Sequence, residues 1–104
     1  NAIQEATLYA IEVPFKVMQL CFESMEVIEA MATHGNPNSV TDAGVGALAA
    51  RSAVMGAFLN VKINSAGLKD KAVAQSFIDK GNEIVAKTIE IESRILSIVE
   101  SKIS

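Results

Sequence analysis

Apolar residues return every three to four positions for about thirty residues at a stretch, and a chain patterned this way folds as long helices packed side by side. Across residues 3–33 the series is Ile3, Ala6, Ala10, Val13, Val17, Leu20, Met25, Ile28 and Met31, with Glu5, Glu12, Lys16, Glu23, Glu26 and Glu29 between them. Pro14 lies inside this pattern; it has no N–H and its ring crowds the preceding turn, so a kink or a break is expected there. Residues 34–41 are dense in turn formers, and Gly35 falls where a helix commonly ends in a left-handed residue. Thr41 or Asp42 is placed to cap the start of a second helix, which Asn64, Ser65, Ala66 and Gly67 end. Asp70 or a neighbour opens the third, carrying Val73, Phe77, Ile78, Val85, Ile89, Leu96, Val99 and Ile103. No segment alternates as a strand would. The predicted fold is all-α: three long antiparallel helices over about residues 2–33, 42–63 and 70–103.

Length makes this pattern informative. The 104 residues allow one domain at most, yet helices of about 30 residues are roughly 45 Å long. Three such rods give an open bundle. Half of the residues are hydrophobic, and the third helix is apolar on more than one side, because Ile84, Ile91, Ile95 and Ile98 lie off its main stripe. Each such side chain left in water forgoes on the order of 1.5–3 kcal/mol, so the bundle is expected to be completed by a missing N-terminal segment, by another subunit, or by both. The chain opens on Asn1 directly in helical pattern, which fits a start part-way through a longer protein.

Charge narrows the partners. Nine Lys and Arg are scattered among twelve acids for a net charge of −3, so there is no basic stripe for nucleic acid. Cys21 is the only cysteine, which excludes an internal disulfide and a cysteine metal cluster and suits a reducing, cytoplasmic setting. No metal-ligand spacing appears. Arg51 and Lys62 interrupt the most apolar stretch, residues 43–63, so no membrane span is expected.

The second helix has the least ordinary composition. Stepping by about one turn from Asp42 reaches Gly46, Ala49, Ala53, Gly56, Asn60 and Asn64, a ridge of small side chains with polar groups at both ends. Glycine inside a helix costs roughly 0.5–1 kcal/mol relative to alanine, so close approach of a backbone or a ligand is the expected reason for Gly46 and Gly56. Asn60 and Asn64 need hydrogen-bond partners if buried. They either cap the helix and bond to a neighbouring helix or meet a flat polar heterocycle. Asp42 is either an N-cap or a functional carboxylate. His34 is the only histidine, the residue type whose ordinary pKa lies near neutrality, hence a formal proton-transfer candidate, although a lone loop histidine is ordinarily a solvated residue.

Residues 35–36 (Gly-Asn), Ser39, 41–47 (Thr-Asp-Ala-Gly-Val-Gly-Ala), 56–64 (Gly-Ala-Phe-Leu-Asn-Val-Lys-Ile-Asn) and Asp70, with Val13-Pro14 upstream, resemble the cyclodeaminase domain of formimidoyltransferase-cyclodeaminases. The resemblance runs in order over most of residues 6–70, and the third helix shares only its character. That family's domain is all-helical and about twice this length, with a Pro-Gly-Gly-Gly-Ser segment in an N-terminal half absent here. The resemblance thus implies that residues 1–104 are the C-terminal half of the domain, and that the chain alone is inactive. It also implies a homo-oligomer, dimer or higher.

The chemistry implied is that of folate one-carbon metabolism and histidine degradation. N10 of 5-formimidoyltetrahydrofolate attacks the formimidoyl carbon, ammonia leaves, and 5,10-methenyltetrahydrofolate remains. A base for the N10 proton, an acid for the leaving nitrogen and groups that hold the pterin are required. Asp42, and secondarily His34, are the expected catalytic residues; Asn36, Ser39, Asn60, Lys62 and Asn64 are expected to bind the tetrahydrofolate derivative, which is a substrate and not a resident cofactor. Hydrolysis of the methenyl group, a methenyltetrahydrofolate cyclohydrolase activity, is the alternative. A non-catalytic helical oligomerisation scaffold is the second.

Overall fold

The computed structural model describes residues 1–103; Ser104, the last residue of the expected domain, lies outside them. Helix α1 spans Ala2–His34, α2 spans Val40–Ser65 and α3 spans Lys71–Ile103, and the described residues contain no strand. They form a rod of 56 × 18 × 16 Å. Asn64 of α2 meets Ala10 and Gly46 meets Ile28, so α1 and α2 run in opposite directions. Phe58 against Gly81 and Gly44 against Val99 set α3 antiparallel to α2 in turn. The result is an up-and-down trio.

Each helix starts and stops for a local reason. The Asn1 side chain accepts the Gln4 N–H at 3.0 Å, and the Asp70 carboxylate accepts the Val73 N–H at 3.1 Å, each removing an orphan donor from a first turn. Helix α2 begins at Val40, earlier than expected, with Ser39 at the cap position and no side-chain cap bond. Thr41 and Asp42 therefore lie inside the first turn and do not cap. There the Asp42 charge still complements the helix dipole. Gly35 is extended (φ −72°, ψ 160°) and not left-handed. Asn36 reverses the chain instead: its carbonyl accepts the Ser39 N–H and its side chain accepts the Asn38 N–H at 2.9 Å. Glycine is needed at 35 for space, since a Cβ would run into the Met31 carbonyl oxygen.

The interior is two apolar clusters end to end. One gathers Ile11, Met18, Val54, Ala57, Phe58, Val61, Leu68 and Ala74, with Phe15 and Phe77 edge to face at 5.3 Å beside it. The other gathers Met25, Ala32, Val40, Ala43, Ala47, Ile91, Ile95 and Val99. Between their stretches of α2 and α3 sits a polar group, with Arg51 3.4 Å from the carboxylate of buried Glu92, one turn from buried Thr88. Lys102 reaches from α3 to the carbonyls of Ala32 and Thr33 at 2.6 and 2.7 Å, satisfying the end of α1. Arg94 grips Glu29 of α1 through two nitrogens, and that hydrogen bond, with the nearby charges of Glu29 and Glu90, raises the guanidinium pKa further.

Two expectations need correction. The unburied apolar surface was expected on α3, but Ile91 and Ile95 are buried and Ile84 and Ile98 half-buried, because α3 leans on both other helices and needs a wide apolar arc. Most of the exposed large apolar side chains lie on α1 (Ile3, Tyr9, Val13, Val17, Leu20, Val27, Met31) and α2 (Val45, Leu48, Leu59, Ile63), while α3 exposes Val73, Ile89 and Ile103. Close approach was expected at Gly46 and Gly56, yet a Cβ at Gly46 would make ordinary contact with Ile28 and one at Gly56 would meet nothing within 4 Å. The crowded helical glycine is Gly81, where a Cβ would overlap the Phe58 ring. Gly56→Ala should therefore stabilise the bundle by about 0.5–1 kcal/mol through helix propensity alone; a lower denaturation midpoint would show that something presses on that surface. Helix α2 is long and apolar enough by composition to cross a membrane, and a third of its most apolar stretch is buried against its neighbours.

Candidate functional site

The most developed cavity is an open groove of about 580 Å³ between α1 and α2, lined by Tyr9, Ala10, Val13, Pro14 and Val17 on one side and by Ala53, Ala57, Asn60 and Asn64 on the other. Its construction begins at Pro14. Helix α1 runs through this residue unbroken, but a proline has no N–H for the carbonyl four residues back, so the Ala10 carbonyl loses its usual donor. The Asn64 side chain replaces it, donating from Nδ2 at 3.1 Å. Ala10, Ala53 and Ala57 line the groove with small side chains. Asn60, one turn before Asn64, lies on the same wall.

The expected site residues fall into two groups at opposite ends of α2. Asn60 and Asn64 share the groove; Asp42, His34, Asn36 and Ser39 lie at the α1–α2 turn. Eighteen residues of helix separate Asp42 from Asn60, about 27 Å, so one chain does not bring both ends to one ring. Asn36 and Ser39 are engaged in the turn, the Ser39 hydroxyl donating to the Asn36 carbonyl at 3.3 Å. His34 and Asp42 are exposed. Lys62 lies with its ammonium 4.4 Å from the Phe58 ring centroid, outside the groove lining. Among the described residues no group of three or more His, Cys, Asp or Glu is placed to hold a metal ion.

A sequence profile of the formiminotransferase-cyclodeaminase family matches residues 1–83. The chain belongs to that family. A curated relative from Methylorubrum extorquens, a methenyltetrahydrofolate cyclohydrolase, is 35% identical over 102 residues, 98% of this chain and 49% of the relative. The chain thus spans about half the length of the curated relative it matches.

In this member of the formiminotransferase-cyclodeaminase family, the groove also holds residues that motif reading passed over. Tyr9 is one of the most exposed large side chains, at 69%, and it forms one end of the lining. Pro14 reads in the sequence as a helix irregularity and as part of the Val13-Pro14 pair, not as a residue of the site. A signal for both existed: a proline in one helix, an asparagine in the antiparallel neighbour at matching depth, and an aromatic five residues before the proline.

Proposed function

We propose that the protein carrying this chain exchanges the one-carbon unit held between N5 and N10 of tetrahydrofolate. The likeness to a methenyltetrahydrofolate cyclohydrolase along nearly the whole chain carries this reading. We put hydrolysis first on this support: water adds to the methenyl carbon, the N5–carbon bond breaks, a proton leaves, and 10-formyltetrahydrofolate results. The family to which the chain belongs supports the second reading, cyclodeamination: the N10–carbon bond forms, the bond to the imino nitrogen breaks, and ammonia departs. The two reactions share the carbon, the pterin and the need for one acid–base group.

In this reading the groove of Asn60 and Asn64 takes the folate ring, and Asp42 handles the proton, with His34 as the second candidate. Asn36, Ser39 and Lys62 hold the remainder of the molecule. The separation of the two ends of α2 requires further polypeptide: residues 1–104 form one half of a helical domain, and the other half, or a second copy, covers the apolar surface of α1 and α2 outside the groove. The same need makes the scaffold alternative a fair competitor for the chain in isolation.

One assay separates the reactions. Full natural protein is given 5,10-methenyltetrahydrofolate and, separately, 5-formimidoyltetrahydrofolate, while methenyl absorbance and ammonia are followed. Hydrolysis predicts loss of methenyl absorbance above the buffer rate in the first; cyclodeamination predicts its gain with stoichiometric ammonia in the second. Silence in both returns the protein to the scaffold class.

A further inference from the structure

We infer that Pro14 builds a subsite for a flat ring edge carrying two adjacent N–H donors, as the 2-amino-4-oxopyrimidine edge of a pterin does, accepted by the Ala10 carbonyl and the Asn64 side-chain oxygen. This rests on the folate reading above and specifies where the ring sits. A carbonyl oxygen accepts two hydrogen bonds, and Pro14 denies the Ala10 carbonyl the amide it would ordinarily meet. Asn64 donates to that oxygen at 3.1 Å. Asn64 is anchored through its nitrogen, its side-chain oxygen hydrogen-bonds to none of the described residues, and both Asn64 and Ala10 line the groove. The groove therefore offers two fixed acceptors side by side.

The rest of the lining decides the class of ligand. No cationic side chain lines the groove, so it has nothing for a phosphate or a carboxylate, whereas Val13, Pro14, Val17 and Ala57 give a flat apolar floor. About 580 Å³ lies within the range of small-molecule sites. Tyr9 supplies a ring wall for stacking, and Asn60, whose side chain hydrogen-bonds to none of the described residues, offers both a donor and an acceptor beside them.

Pro14→Ala tests this in the full natural protein, because the new N–H takes the acceptor position on the Ala10 carbonyl that the ring edge would use, Asn64 already holding the other. Alanine is also the better helix former, so a purely structural Pro14 predicts an unfolding midpoint that is unchanged or higher and no change in binding. The subsite predicts an equal or higher midpoint together with about tenfold weaker binding of 6-methyltetrahydropterin, equivalent to about 1.4 kcal/mol, and unchanged binding of p-aminobenzoylglutamate, measured by calorimetry. If Pro14→Ala lowers the midpoint, Tyr9→Ala at its exposed position decides alone, with severalfold weaker pterin binding expected. Pterin binding within twofold of wild type in both variants overturns the inference and marks the groove as covered by polypeptide. Wild-type protein that binds neither the pterin nor 5-formyltetrahydrofolate removes the folate reading and this subsite together.

Discussion

Phe58→Ala is expected to lower the unfolding free energy by about 3–5 kcal/mol, the cost of emptying a well-packed aromatic site. Phe58 is buried in the cluster that joins all three helices, and its ring presses on the backbone of α3 at Gly81. For a domain stabilised by about 5–15 kcal/mol this is a large share. The same contact makes a second, sign-changing expectation. Gly81→Ala should cost about 1–3 kcal/mol in the wild-type background by overpacking, but in the Phe58→Ala background the added methyl has room and helix propensity returns about 0.5–1 kcal/mol. Chemical denaturation of the four variants measures the coupling. A Gly81→Ala cost that is the same in both backgrounds would show that the ring and the glycine do not meet.

Asp42→Asn in the full natural protein is expected to reduce turnover by about 10²–10⁴-fold, the usual contribution of a positioned acid–base group. Stability should hardly move, because Asp42 is exposed, lies in the first turn of α2 and is not its cap. The combination matters: loss of rate with an unchanged unfolding midpoint is what a chemical role predicts, and a structural role cannot produce it. Turnover within threefold of wild type removes Asp42 from the reaction and passes the role to His34 or to polypeptide outside this chain.

The helices were legible in the sequence because the spacing of apolar residues is a direct record of the 3.6-residue turn. Their ends were less so: Ser39 caps α2 with its backbone conformation and no side-chain bond, so the sequence signal pointed to its neighbours Thr41 and Asp42. Glycine was misleading for a related reason. Gly56 stands open and Gly81 is crowded, and only the position of Phe58 on another helix tells them apart. The excess of apolar surface was foreseen, but the isoleucines of α3 taken as its sign are buried at Ile91 and Ile95 and half-buried at Ile84 and Ile98, since one-helix patterns do not reveal that α3 rests on two partners. Asn64 was foreseen both as a bond to a neighbouring helix and as a ligand contact; the structure supplies the first through Ala10. The role of Pro14 in creating that bond was not legible, because it depends on which residue of α2 lies opposite.

Helix α2 spreads its apolar residues almost evenly around its circumference, so burial of grease alone would tolerate several ways of sliding or rolling it between its neighbours. The guanidinium of Arg51 beside the buried carboxylate of Glu92 removes that freedom. A shift of one turn would strand an ionised group in the interior, at a penalty of several kcal/mol. The pair therefore acts as a dowel: it adds little strength, but it fixes the depth at which Asn64 arrives opposite the gap left by a proline.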